Sequence, residues 1–132
     1  MRSIQSLCFV LTILFGVADL SAASGWLNWR GPEQNGNSRS KVSLPDSLDL
    51  EGKEHRWTYP VRGAGTPVAA DGRIYAFGFY GETGLVEETL LCLDAETGEK
   101  IWEYRFADYI SDIVYNRYAV GAPAVDPETG NI

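Results

Sequence analysis

The side chains best suited to contact a ligand are concentrated in residues 107–120, which read ADYISDIVYNRYAV. Tyrosine combines a flat apolar ring with a hydroxyl group, and a neighbouring carboxylate adds a hydrogen-bond acceptor. Insertions between repeated units commonly build the binding face of a protein. The sequence therefore predicts ligand contacts in this segment, from Tyr109, Asp112, Tyr115 and Tyr118, with Asp108 beside them.

Neither His55 nor Cys92 has the neighbours that catalysis requires. His55 is the one histidine, and EGKEHRW supplies it with no serine or cysteine partner, so we expect a surface residue. Of the two cysteines, Cys8 lies in an apolar N-terminal segment, while Cys92 alternates with leucines in LLCLD and is expected to be a buried thiol. Spacings such as His-x-x-x-His and Cys-x-x-Cys are absent, so the sequence predicts no catalytic residue and no metal site.

The sequence DAETGE, at residues 94–99, has oxygen-bearing side chains in the manner of a calcium loop. It lacks the twelve-residue frame and the terminal bidentate glutamate of such loops. Asp94 and Thr97 are suited to bond turn amides, and Gly98 is suited to a left-handed conformation, so we expect a tight turn. A similar sequence recurs in VDPETGN, at residues 125–131, and this recurrence favours a structural role for the turn.

Short β-prone runs separated by turn signals predict four consecutive antiparallel strands, over residues 66–70, 73–79, 88–94 and 99–106. The dipeptide Asp71-Gly72 joins the first two strands, because both positions of such a turn favour positive φ. Alternation places Trp102, Tyr104 and Phe106 on one face of the last strand.

Two sequence phrases occur twice in similar form. GTPVAADGRIY, from residue 65, is matched by GAPAVDPETGNI, from residue 121, and HRWTYP, from residue 55, is matched by KIWEYR, from residue 100. Four strands in a unit of 40 to 50 residues or slightly more indicate stacked or radial repeats. We expect an all-β fold, a β-propeller of four-stranded antiparallel blades, here one blade with parts of two neighbours. The strand around Trp57 would belong to the preceding blade, and missing C-terminal blades of the same chain would cover the aromatic rows. The matched positions are Gly65 with Gly121, Pro67 with Pro123, and Trp57 with Trp102.

The first 23 residues resemble a secretory signal peptide. Arg2 precedes an apolar run over residues 7–18, which is shorter than the ~20 residues of a membrane-spanning helix, and small residues lie just before Ser24. We expect an exported protein, periplasmic or secreted, with no stable membrane anchor after cleavage.

The net charge is −7, from 18 acidic and 11 basic residues, and no basic run is present. Nucleic acids and anionic membranes need clustered lysine or arginine, so the sequence argues against both as partners. An unidentified protein or a small molecule is the expected partner.

Three stretches together resemble the pyrroloquinoline-quinone-like (PQQ-like) β-propeller repeat family of exported bacterial proteins. LLCLDAETGEKIWEY is similar to its repeat unit through Asp94, Thr97, Gly98 and Trp102, and GTPVAADGRIYAFG is similar to the outer half of that unit. WLNWRGPEQNGNS is similar to the opening of exported members, and we expect an N-terminal arm anchored by Trp26 and Trp29. The resemblance divides the chain into a signal peptide (1–23), the arm (24–54) and a truncated repeat region (55–132).

In this family the Thr-Gly turn and the tryptophan are architectural, the indole docking one blade on the next. Only some members bind the quinone, with calcium, a catalytic aspartate and often a vicinal disulfide, and none of these can be placed on this sequence. The lipidated cysteine of the branch that scaffolds outer-membrane protein assembly is also missing. The resemblance therefore implies a non-catalytic binding or scaffolding module without an evident cofactor.

Two alternatives stay open. The chain could be the leading portion of a quinone-dependent dehydrogenase, with PQQ and calcium bound by residues beyond Ile132. It could also be a complete small β-protein of 132 residues.

Overall fold

The computed structural model describes residues 24–47, 49–82, 85–106 and 118–132. The described residues contain no helix and form one antiparallel sheet, which confirms the expected all-β class. The sheet has five strands, arranged in chain order. The strands are β1 (Gly25–Trp26), β2 (Val68–Ala70), β3 (Arg73–Tyr80), β4 (Glu87–Asp94) and β5 (Lys100–Phe106).

The four predicted strands are present as β2 to β5, with small shifts at their ends. The first begins at Val68 instead of Thr66, which leaves Pro67, a residue without an amide hydrogen, outside the ladder. Asp71 and Gly72 join β2 to β3 with φ values of 48° and 75°, as the Asp-Gly dipeptide predicts.

One face of the sheet, which we call the Trp102 face, carries a hydrophobic core. Val68 lies opposite Tyr75, Tyr75 opposite Cys92, and Cys92 opposite Trp102, so these side chains form one row. Segments from outside the sheet cover the row. Leu27 and Val125 are buried in the same core, and the Val125 amide donates to the Leu27 carbonyl at 2.9 Å.

The opposite face, the Leu91 face, is covered by a segment that precedes β2 in the sequence. Leu91 and Thr89 are fully buried there, next to Ala76 and Gly78 of β3. The Val61 side chain fills the space in front of Gly78, where a β-carbon would collide with it. The Trp102 face is thus covered by Leu27 together with Val125 from beyond β5, and the Leu91 face by Val61 from the segment before β2.

The two strands assigned to neighbouring blades have no partners among the described residues, and one expectation about the arm is wrong. Residues 55–60 are extended but pair with no strand among the described residues, and the phrase beginning at Gly121 likewise forms no paired strand. Trp29 is 61% exposed and does not anchor the arm. Trp26 does, because β1 adds to the edge of β2, with Trp26 opposite Ala69.

Candidate functional site

The turn at residues 94–99 is held together by its own polar groups. The Asp94 Oδ1 atom accepts hydrogen bonds from the amides of Glu96 and Thr97 and from the Thr97 hydroxyl, at 2.8 to 3.1 Å. The Gly98 amide donates to the Asp94 carbonyl at 2.9 Å. Bonds from the Thr97 amide and hydroxyl and from the Glu96 amide stabilise the carboxylate, which lowers the pKa of Asp94.

Trp57 covers this turn. Its indole Nε1 donates to the Ala95 carbonyl oxygen at 3.1 Å. The ring lies against Gly98, which has a φ of 74°, and a β-carbon at Gly98 would approach Trp57 Cδ2 to 2.5 Å. Glycine at this position therefore serves two needs, the left-handed backbone and the close approach of the indole.

Residues 126–131 form a second turn with similar bonds. The amide of Glu128 and the hydroxyl of Thr129 donate to the Asp126 carboxylate, and the Gly130 amide donates to the Asp126 carbonyl at 2.8 Å. The bond from the Thr129 hydroxyl and then that from the Glu128 amide lower the pKa of Asp126. No atom among the described residues lies within 4 Å of a β-carbon placed on Gly130, so nothing there covers this second turn.

The two copies of the Gly-x-Pro phrase lie side by side. The Ala64 amide donates to the Ala119 carbonyl at 3.1 Å, and a β-carbon on Gly65 would collide with the Gly121 carbonyl oxygen. A β-carbon placed on Gly121 would lie 3.8 Å from the Phe77 ring. The matched glycines thus allow two chain segments to approach each other over β3. Pro67 is exposed, whereas Pro123 is buried.

Tyr118 is the one member of the predicted ligand-contacting set that the structure describes, since Tyr109, Asp112 and Tyr115 lie outside the described residues. Its ring packs against Phe79 at 5.5 Å between centroids, and the Arg62 guanidinium lies 4.8 Å from the same Phe79 ring. An exposed guanidinium supported by an aromatic ring is a typical anion-binding group. The structure brings Tyr118 to this position beside Phe79.

A charged network occupies the β5 end of the Leu91 face. Arg105 bonds the carboxylates of Glu87 and Glu103, at 3.0 and 2.8 Å, and lies over the Tyr80 ring at 4.4 Å. Burial, followed by a hydrogen bond with Tyr59, raises the pKa of Tyr80 to about 12. A phenol that stays protonated and cations that stay charged indicate a structural network, without a group poised for proton transfer near neutral pH.

A cleft of about 360 Å³, which we call the Trp57 cleft, lies between the loop that precedes Trp57 and the 94–99 turn. Sequence reasoning did not identify it, because its charged residues have no motif spacing. The signal available in the sequence was a tryptophan close to both acidic and basic residues, in DLEGKEHRW. Among its lining residues are Asp49, Leu50, Glu54, Arg56, Trp57 and Ala95.

The remaining candidates are placed as structural residues. Cys92 is fully buried, and burial raises the pKa of its thiol. The His55 Nε2 atom lies 2.8 Å from the Thr58 hydroxyl oxygen, within its own segment. In the part of the chain that the structure describes, no group of three or more histidine, cysteine or carboxylate side chains is placed to hold a metal ion.

Comparison with protein-family models, with curated proteins and with solved structures finds no match. The described residues include no helix with the length and apolar character needed to span a bilayer.

Proposed function

We propose that the chain is part of an exported β-propeller protein of the PQQ-like type, acting as a non-catalytic binding or scaffolding module. The observation that carries this proposal is the covering of one four-stranded unit by repeat phrases from either side of it. The phrase around Trp57 lies on one side and the phrase from Gly121 to Val125 on the other. Repeats that stack on their sequence neighbours require this arrangement.

The segment around Trp57 has the features of a β-strand whose backbone is unpaired among the described residues. Its burial alternates from residue 55 to residue 60, with Trp57 and Tyr59 half-buried and Arg56 and Thr58 exposed. Within the described residues, the amides from Arg56 to Tyr59 make no backbone hydrogen bond. An extended segment with free backbone groups accepts further strands, so it supports the idea of a neighbouring blade completed by other parts of a longer chain.

The Trp102 face is also incompletely covered near β5. Tyr104 is 64% exposed, and its ring stacks on Phe106 at 6.0 Å between centroids. In a propeller this surface would be covered by the next blade.

Hydrogen exchange tests the architecture. In the chain as it stands, we expect slow exchange in β3 and β4 and fast exchange at residues 56–59 and 121–124, because those segments lack strand partners. A compact monomer whose amides are all protected would contradict the propeller proposal and support a complete small β-protein.

An oxidation assay tests the absence of catalysis. The full-length protein is mixed with calcium, PQQ and an artificial electron acceptor, and alcohols or sugars are added. We expect no dye reduction above the level without protein. Reduction that depends on both the quinone and calcium would establish the dehydrogenase alternative instead.

A further inference from the structure

The Trp57 cleft has the size and the wall structure of a small-ligand site. Its volume of about 360 Å³ lies at the lower end of the ~300–1,000 Å³ typical of ligand pockets. It is formed by described residues from the arm, the Trp57 segment and the 94–99 turn, so it does not depend on the propeller proposal.

The aromatic wall of the cleft is held in place before any ligand binds. The Trp57 indole is fixed by its bond to the Ala95 carbonyl at 3.1 Å and by its contact with Gly98. Leu50, which is 76% exposed, adds apolar surface to the same cleft. A rigid aromatic side chain with one surface already packed loses little entropy when a ligand covers the rest.

The loop that forms the opposite wall is also ordered by short-range bonds. The Gly52 amide donates to the Asp49 carbonyl at 2.9 Å, and the His55 amide donates to the Gly52 carbonyl at 3.1 Å. The Asp49 carboxylate accepts the Glu51 amide at 3.0 Å. These bonds position the acidic side of the cleft relative to Trp57.

Charges of both signs line this apolar cleft. The acidic residues Asp49 and Glu54 and the basic residue Arg56 are among its lining residues. A ligand that carries only a negative charge would meet the two carboxylates, and one that carries only a positive charge would meet the guanidinium. A dipolar ligand satisfies both, because an ammonium group donates three hydrogen bonds and a carboxylate can accept two from one arginine.

We propose that the Trp57 cleft binds a free α-amino acid with an apolar side chain. Its ammonium group is bound by Glu54 and Asp49, its carboxylate by Arg56, and its side chain packs on Leu50 and Trp57. The apolar contact supplies affinity through the removal of hydrocarbon from water, and the two charged contacts supply specificity for the zwitterion.

Titration of the purified full chain with L-leucine, followed by NMR chemical shifts, tests the proposal. We expect saturable shifts at the Trp57 indole and the Arg56 amide, with a dissociation constant of about 1 mM. L-leucine methyl ester lacks the negative charge and N-acetyl-L-leucine lacks the positive one, so each should bind at least about tenfold more weakly, the loss expected for one charged hydrogen bond.

Two variants locate the recognition of each charge. In Arg56→Gln, the preference for leucine over its methyl ester should disappear, and in Glu54→Gln the preference over N-acetyl-leucine should fall. Arg39→Gln and Glu128→Gln are matched controls outside the cleft and should keep both preferences. Unfolding curves that match those of the unmodified chain ensure that lost binding is not lost folding.

The proposal is overturned if leucine gives no saturable shift, if the three compounds bind equally, or if either analogue binds more tightly than leucine. Tighter binding of the ester would define a cation site, and tighter binding of N-acetyl-leucine an anion site.

Discussion

The two Asp-x-x-Thr-Gly turns, at residues 94–99 and 126–131, have similar internal hydrogen bonds and different surroundings. In both, an aspartate carboxylate accepts bonds from the residues two and three positions later, and a glycine follows with a φ near 70°. The first turn is covered by the Trp57 indole. The second has open space in front of its glycine among the described residues.

This difference separates what a turn requires from what is built upon it. Aspartate, threonine and glycine at fixed spacing are sufficient for the turn, because every bond is made within six residues. The cover comes from a residue 38 positions away from Ala95 in the chain. Substitutions that remove the Trp57 cover should therefore affect only the first turn. Substitutions of the aspartate, threonine or glycine should affect whichever of the two turns carries them.

Removal of the cover should have the largest effect. Trp57→Ala is expected to lower the free energy of unfolding by about 2–3 kcal/mol, somewhat less than for a fully buried tryptophan. Urea unfolding measures the change. Trp29→Ala is the matched control, since the exposed Trp29 side chain should change stability by no more than about 0.5 kcal/mol. Equal effects of the two substitutions would mean that the indole does not stabilise the turn.

A β-carbon on each turn glycine should distinguish the two turns directly. Gly130→Ala should cost about 1 kcal/mol, from the left-handed backbone alone. Gly98→Ala should cost at least about 1 kcal/mol more, because the added carbon would displace the Trp57 ring. The same unfolding experiment gives both values. If they agree within error, the second turn is as closely covered as the first.

The indole hydrogen bond should account for a smaller part of the cover. Trp57→Phe keeps an aromatic ring on Gly98 but leaves the Ala95 carbonyl without its donor, so we expect a loss of about 1 kcal/mol. Trp29→Phe should leave stability unchanged. A Trp57→Phe protein as unstable as Trp57→Ala would show that the bond, and not the packing, holds the segment.

The smallest effects concern ionisation of the two turn carboxyls. Both pKa values are lowered in the folded chain, so each carboxylate stabilises the fold above its unfolded pKa of about 3.9, and this stabilisation is lost as the pH falls through the folded pKa. The main cause is a backbone bond for Asp94 and the Thr129 hydroxyl for Asp126. NMR titration should therefore show a larger rise in the Asp126 pKa for Thr129→Val than in the Asp94 pKa for Thr97→Val. The reverse order would contradict the assignment.

Local patterns predicted the sheet well. The Asp71-Gly72 hairpin, the alternation of Tyr75 with its neighbours and the turn before β5 are all short-range features, and each is present. The pairing of β1 was not predicted, because Gly25–Trp26 lies 42 residues before its partner β2 and two residues carry no periodicity. The exposure of Trp29 was missed for a related reason, since nothing in the sequence WLNW distinguishes the tryptophan that packs from the one that does not.

The candidate sites were predicted less well than the sheet. The repeat glycines were identified from the recurring phrase, but the direct approach of Gly65 to Gly121 depends on how the chain crosses β3. The Trp57 cleft was not predicted, because its acidic loop, its arginine and its turn residue meet only after folding.

The sequence by itself determined the order of β2 to β5, the hairpin and the two matching turns, because those features join segments that follow each other in the chain. Tertiary structure alone decided which turn receives an indole, which glycines touch and which charges share a cleft. Such contacts join segments that are far apart in the chain, and burial of apolar surface, which has no preferred direction, brings them together only in the assembled fold.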